Sequence, residues 1–331
     1  VASRAYLWEL GRRNRRFDRG VGVERLPVPV ISIGNLSVGG TGKTPMVRLV
    51  CAWLIERGVR PCIAMRGYRA GPAGSDEARE FEQSLPGVAV VAQADRAAGV
   101  RTLIDAGVSI DAVVLDDGFQ HRRVARDVDI VLLDATRDPF ADRALPAGWL
   151  RELPGALRRA HAVVVTHAEQ AGPDSVEAIL AAARRVNPEL VAAAASHAWT
   201  GVRVVRAGEV DRTEPVEWLD GRTVVAVCGI GNPGAFLAQA ERAVGRGAGG
   251  RVVLRDHAEY DGRAVQRIVD EVRGCGAELV LTTGKDLVKL RAHAGALGVP
   301  IAAADLRMAL SEGEAPLRGL VIGALGRDRI G

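Results

Sequence analysis

The chain has 331 residues, 48% of them hydrophobic and 25% charged, with a formal net charge of +4. That length supports two domains with separate cores, and that composition excludes a disordered or fibrous chain. Cys51, Cys62, Cys228 and Cys275 include no CxxC pair, which argues against a zinc site or a disulfide frame and fits a reducing cytoplasm. No apolar run reaches the length of a membrane span, and no signal-peptide pattern is present. The chain opens on Val1 rather than Met, so its native start can be altered or missing.

Residues 1–20 carry Arg4, Arg12, Arg13, Arg15, Arg16 and Arg19 among Tyr6, Leu7, Trp8, Leu10 and Phe17. Such a helix can lie on an anionic membrane surface, with arginines on phosphates and rings among headgroups. It can equally pack one face on the domain and leave the other solvated.

An apolar run from Val28 to Ile33 predicts a buried strand, which breaks at Gly34 into a glycine-rich turn. A helix is expected over 44–57, closed by Gly58. Strand, glycine-rich loop and helix together are the context that a phosphate-binding loop requires. The loop offers Ser37, Gly39, Gly40, Thr41, Gly42, Lys43 and Thr44, with Ser37 where the motif's first glycine usually stands. Backbone N–H groups and the positive end of a helix dipole favour phosphate there. Lys43 is expected to reach the β- and γ-phosphates of a nucleoside triphosphate, and the Thr44 hydroxyl to ligate Mg²⁺.

Further strands are expected at 60–65 and 88–92, and Asp95 can cap a helix that Gly107 closes. Asp111-Ala-Val-Val-Leu-Asp-Asp-Gly-Phe-Gln-His121 places four apolar residues before Asp116, the form of a strand whose terminal carboxylate holds Mg²⁺. Asp117 doubles that charge at the strand's carboxyl end, where ligands bind in open α/β sheets. Strands at 128–134 and 162–166 continue the alternation, and polar, irregular residues from about 196 to 220 read as a domain boundary. A second α/β unit follows, with strands at 223–228, 251–255, 278–283 and 299–303. Its Gly229-Ile-Gly-Asn-Pro-Gly234 turn matches a dinucleotide fingerprint, which alone would support an NAD-binding enzyme, although such turns are common in α/β folds.

The phosphate loop joins Arg66-Gly-Tyr68, Asp76-Glu77, Asp95-Arg96 and Asp116-Asp-Gly-Phe-Gln-His121 in chain order. Leu150-Arg-Glu152, Gly229-Ile-Gly-Asn-Pro233, Asp256-His257 and Thr282-Thr283 with Lys285-Asp286 follow. Together these motifs resemble the tetraacyldisaccharide 4′-kinase family, the lipid A 4′-kinases of Gram-negative bacteria, over residues 28 to about 290. Arg69, Ala258 and Gly284 depart from the family's usual residues. The resemblance implies an α/β, P-loop NTPase-like core over 1–205, a mostly parallel sheet with helices on both faces. A smaller C-terminal α/β domain over 206–331 would close the active-site cleft.

The implied reaction moves the γ-phosphate of ATP, with Mg²⁺, to the 4′-hydroxyl of a tetraacylated glucosamine disaccharide 1-phosphate in lipopolysaccharide biosynthesis. The resemblance assigns Asp76, assisted by His257, to accept the hydroxyl proton. Lys43 and Arg96 would meet charge on the transferring phosphoryl, although Arg96 also reads as a solvated residue of a first helical turn. Thr44, Asp116 and Asp117 would hold the metal, and Tyr68, His121, Arg151 and Glu152 would line the cleft. A lipid acceptor implies a peripheral protein at the cytoplasmic face of the inner membrane, held by residues 1–20. No nucleic acid or protein partner is expected. The alternative is a P-loop ATPase or switch protein without a lipid acceptor, since a switch needs no acceptor base.

Overall fold

The computed structural model describes residues 2–67, 76–245, 249–256 and 258–326, and of Asp76 the backbone alone. Tyr68, His257 and the Asp76 side chain, all expected at the site, lie outside the described residues. The chain forms two compact units, Val1–His197 with Met308–Gly331 and Ala198–Arg307.

In the first unit, helix α1 (Ala2–Asp18) precedes β1 (Val30–Asn35), α2 (Lys43–Ile55), β2 (Pro61–Met65) and α3 (Asp76–Ser84). Next come β3 (Ala89–Ala92), α4 (Arg96–Asp105), β4 (Ala112–Asp116), β5 (Val128–Asp134) and β6 (Ala162–Thr166). The short α5 (Ala168–Ala171), then α6 (Pro173–Val186), lead into the long strand β7 (Val191–Val205). The strands run parallel in the order β7-β6-β5-β1-β4-β2-β3, so β1 sits between β5 and β4 in the interior of the sheet.

Strands covered on both faces are mostly apolar, and their alternating side chains divide between two cores. Ile31 and Ile33 of β1, Val114 of β4 and Ile130 of β5 pack with Met46, Val50 and Leu54 of α2. From the opposite face Val113 and Leu115 meet Ala97 and Val100 of α4, while Val131 and Leu133 meet Ile179 and Leu180 of α6.

The second unit begins on the last residues of β7, which pair antiparallel with β8 (Arg212–Glu214). It continues through β9 (Val224–Cys228), α7 (Pro233–Val244), β10 (Gly250–Val253), α8 (Gly262–Cys275) and β11 (Leu279–Thr283). After α9 (Gly284–Leu290) and α10 (Ala294–Leu297), β12 (Ile301–Glu312) returns the chain to the first unit. Parallel β10-β9-β11-β12 is covered by α8 on one face and by α7 on the other. Finally α11 (Glu314–Gly323) buries Leu317 and Val321 in the same core as α2.

The stretch from about 196 to 220, expected to be irregular, is instead largely ordered. It holds the end of β7, all of β8 and a 3-10 turn at Val216–Leu219. The β-branched Val202, Val204 and Val205 are buried there, and pairing of β7 with β8 orders the stretch despite its polar residues.

Candidate active site

The loop between β1 and α2 is held from below. Asn35 Nδ2 donates to Thr41 Oγ1 at 2.9 Å, and the Thr166 hydroxyl donates to the Thr41 carbonyl at 3.0 Å. On the other side Val38 N–H donates to the Trp149 carbonyl at 2.8 Å, and Ser37 bridges Leu150. Gly39 and Gly42 have φ of 113° and 83°, a region glycine enters without steric cost. Gly42 makes no side-chain cap to α2, so that helix end keeps unsatisfied N–H groups beside Lys43 and Thr44.

Strand β4 runs beside β1 with Ile33 opposite Asp116, which brings the two carboxylates to the end of the loop-bearing strand. Asp117 takes a left-handed φ of 50°. Its Oδ2 accepts from Arg151 Nη1 at 2.7 Å, and Lys43 Nζ lies 3.6 Å from Oδ1. Arg96, buried rather than solvated, donates from Nη1 to the Asp117 carbonyl at 3.2 Å. Burial lowers the affinity of the Arg96 guanidinium for its proton, partly offset by Asp116 and Asp117.

The carboxylates differ in environment. Burial pushes the Asp116 carboxyl up to about 7; Lys43 pulls against this, while Asp117 and Glu77 add to it. Burial would raise Asp117 too, but Lys43 and then Arg151 hold it below the usual carboxylate range. Because Glu77 acts on Asp116, the start of α3, where Asp76 stands, comes within electrostatic range of the pair.

Among the described residues Asp116 Oδ1 and Asp117 Oδ1 are buried without a hydrogen-bond donor. Buried anionic oxygens left in that state suit a hard cation, and Mg²⁺ binds through one or two carboxylates plus water and phosphate oxygens. Asp116 and Asp117 therefore fit Mg²⁺.

The Gly118–His121 turn is clamped to the sheet. A Cβ on Gly118 would lie 2.5 Å from Ser32 Oγ, and one on Gly34 would lie 2.5 Å from Phe119 Cβ. Gln120 Nε2 donates to the Asn35 carbonyl at 2.9 Å. Arg126 Nη2 collects the carbonyls of Gly118 and His121 at 2.7 and 3.2 Å, and Arg159 stacks over Phe119 at 3.7 Å from the ring centroid. Neither arginine carried a sequence signal, since each works through backbone carbonyls or a ring that only the fold supplies. Glu152 is buried with Oε1 accepting from Arg159 at 2.7 Å and Oε2 from Asn14 of α1 at 2.9 Å. The site thus brings together Lys43, Arg96, Asp116, Asp117 and Arg151, with His121 and Glu152 around them.

In the second unit, Asp286 accepts from the Gly229 N–H at 3.0 Å and from the Thr283 hydroxyl at 2.8 Å. The Gly229 N–H, which a dinucleotide pyrophosphate would need, is thereby occupied, and Asn232 caps α7. This favours a structural turn over an NAD site. Lys285 pairs with Asp256 at 3.3 Å.

A family model described as tetraacyldisaccharide-1-P 4′-kinase matches residues 1–321. The chain belongs to that family. A tetraacyldisaccharide 4′-kinase of Geobacter metallireducens is 37% identical over 327 residues, covering 92% of each chain. One of Anaeromyxobacter dehalogenans is 38% identical, covering 84% of this chain and 77% of the relative. A crystal structure of LpxK from Aquifex aeolicus in complex with ATP superposes with a TM-score of 0.72 at 30% identity, covering 98% of this chain and 97% of that one. The fold is therefore the P-loop NTPase-like fold of this kinase family, as its motifs imply.

His121 gives the site a pH signature. Burial, then Arg96 and Arg126, pushes its imidazole down to about 4, so the folded chain keeps it neutral where the unfolded chain protonates it near 6.5. The unfolded state binds the extra proton between those values, so stability should fall as pH drops through that window. His197, pushed down to about 3 mainly by burial, adds the same sign. In urea titrations between pH 7.5 and 4.5, His121→Gln should show a shallower loss of midpoint than the wild type. Equal slopes would place His121 in contact with water.

Proposed function

We propose that the chain transfers the γ-phosphate of ATP to the 4′-hydroxyl of a tetraacylated glucosamine disaccharide 1-phosphate, the lipid A precursor, in lipopolysaccharide biosynthesis. The observation that carries this reading is the phosphate-binding loop set beside the Asp116–Asp117 pair, with Lys43 3.6 Å from the half-buried Asp117. The family match over residues 1–321 disfavours a switch without an acceptor.

A sugar hydroxyl is a weak nucleophile at neutral pH, so transfer rests on positioning, electrostatics and a proton acceptor. The exposed Gly39 and Gly40, with the N–H groups at the start of α2, bind the phosphates. Lys43 is near enough to Asp117 to be aimed by it, and its ammonium meets charge building on the γ-phosphoryl. Arg151 keeps Asp117 in place, and buried Arg96 adds positive potential from behind. Asp116, Asp117 and Thr44 would hold Mg²⁺, which when bound supplies charge neutralisation at the β- and γ-oxygens. Asp76 as proton acceptor, His257 as its assistant and Tyr68 as a substrate contact rest on the family resemblance.

Helix α1 packs through one face and presents the other. Tyr6 Oη donates to the Arg151 carbonyl at 2.8 Å and Ser3 Oγ to the Ala144 carbonyl at 3.3 Å, beside the Asn14–Glu152 bond. Trp8, Arg12, Arg15 and Arg16 remain exposed. That face suits the cytoplasmic surface of the inner membrane, where the lipid acceptor would be met. Among the described residues no helix is long and apolar enough to cross a membrane.

Labelled γ-phosphate should pass from ATP to a tetraacyl disaccharide 1-phosphate, and Lys43→Ala should lower turnover by about a hundredfold or more while the protein stays folded. Near-normal transfer by a folded Lys43→Ala protein would refute the phosphate-loop reading.

Asp76→Ala and His257→Ala should each lose turnover and keep ATP affinity, and the double variant should be little worse than the poorer single one. Fully multiplicative losses would mean that the two residues act independently.

Replacing Arg12, Arg15 and Arg16 with Gln should weaken binding to anionic vesicles by tens-fold or more, since each basic residue near such a surface is worth about 1 kcal/mol. Turnover on detergent-dispersed lipid should change far less. Unchanged vesicle binding would leave α1 a packed helix only.

A further inference from the structure

The underside of the phosphate-binding loop rests on two histidines that the reaction does not use. A Cβ on Gly42 would fall 2.5 Å from His197 Nε2, 2.8 Å from its Cε1 and 3.2 Å from the Met308 methyl. The Nε2–Cε1 edge of the imidazole therefore fills the space that a side chain would need, against the residue that precedes α2. His197 is fixed in turn. Its ring stacks on His167 with centroids 4.4 Å apart and planes 28° apart, and its backbone N–H donates to Glu169 Oε2 at 3.2 Å.

His167 follows β6 directly after Thr166, whose hydroxyl holds the Thr41 carbonyl. Its φ of 56° is unusual for a residue with a side chain, and such strain persists only where surrounding contacts enforce it. One of those contacts is Asp134, whose Oδ1 lies 3.0 Å from His167 Nδ1. Asp134 is itself fixed by the Thr136 hydroxyl and N–H, at 2.7 and 3.0 Å. Both imidazoles are buried.

We propose that Asp134, His167 and His197 form a buttress that fixes the Gly42 backbone, making the two histidines positioning residues for the ATP phosphates. The proposal rests on the reading of residues 37–44 as the ATP phosphate loop. A loop that binds through backbone N–H groups has no side-chain rotamer to adjust, so its precision comes from what it is packed upon. Misplacing a bound group by about 1 Å can cost on the order of a hundredfold in rate. Burial keeps His197 neutral, so its contact acts through shape and adds no charge beneath the phosphates.

The test is steady-state kinetics on the full chain, with the KM for ATP and for the lipid acceptor measured separately. His197→Ala should raise the ATP KM by about tenfold and leave the acceptor KM within about twofold, since only the loop's placement is disturbed. His197→Phe, which keeps an aromatic ring between Gly42 and His167, should restore most of the ATP KM. His167→Ala should raise the ATP KM less, and the double alanine variant should match His197→Ala, because neighbours acting as one unit are non-additive. If His197→Ala does not fold, His197→Gln, which keeps bulk but loses the ring stacked on His167, should still raise the ATP KM selectively. Lys43→Ala serves as the control for the reading beneath. If it abolishes transfer while folded His197 variants keep the wild-type ATP KM, the buttress is overturned and the phosphate loop stands. Equal rises in both KM values would also overturn it, and full activity in Lys43→Ala would remove the reading on which it rests.

Discussion

Two adjacent carboxylates at the end of a buried strand are the constraint around which the first unit is arranged. Asp116 is buried and Asp117 half-buried at the end of β4, and both draw on positive neighbours to stay ionised there. That company comes from three separate places in the chain: Lys43 at the start of α2, Arg96 at the start of α4, and Arg151 from the segment before the Pro154–Arg159 turn. Each must arrive with its own support, so Glu152, Arg159 and Asn14 form a further ring around the first. Asp117 is shared by Lys43 and Arg151, so removing either cation leaves the other to hold it alone, and the arrangement is held as a set.

Sheet geometry makes that set possible. Parallel strands put their carboxyl ends on one edge, and the β1 and β4 neighbours deliver a glycine loop and a carboxylate pair to the same place. Gly34 and Gly118 let the Phe119 turn press onto the strand ends with no Cβ between them. The N-terminal helix also joins this network, because Asn14 and Tyr6 bond to Glu152 and Arg151. Helix α1 is therefore two residues' reach from Asp117, the carboxylate that pairs with Lys43.

Local features were legible in the sequence. The apolar run before Gly34, the Gly42-Lys43-Thr44 sequence, the Asp95 cap and the strand ending on Asp116 all depend on neighbours a few residues away; each forms, although β1 begins at Val30 and runs through Gly34 to Asn35 rather than breaking at Gly34. What could not be read depends on distant partners. Arg96 looks like an ordinary first-turn residue until Asp117 is brought beside it, and Arg126 declares itself only through carbonyls of the turn it caps. Strand β7 was hidden because the alanines at 192–195 and the Ser-His-Ala-Trp-Thr-Gly stretch after them lack β-branched alternation, and only neighbouring strands make it regular. His197 sits in that same stretch, so nothing local linked it to Gly42.

The return of the chain to the first unit has a consequence for synthesis. Leu317 and Val321 of α11 complete the core beneath α2, and they leave the ribosome more than two hundred and sixty residues after the helix they cover. Residues 198–307 form their own compact unit from one continuous segment and can fold as soon as they emerge. The older, N-terminal part of the chain must wait with part of its apolar face uncovered, which exposes it to chaperones and to aggregation during that interval. Order of translation and order of completion are thus reversed in this molecule.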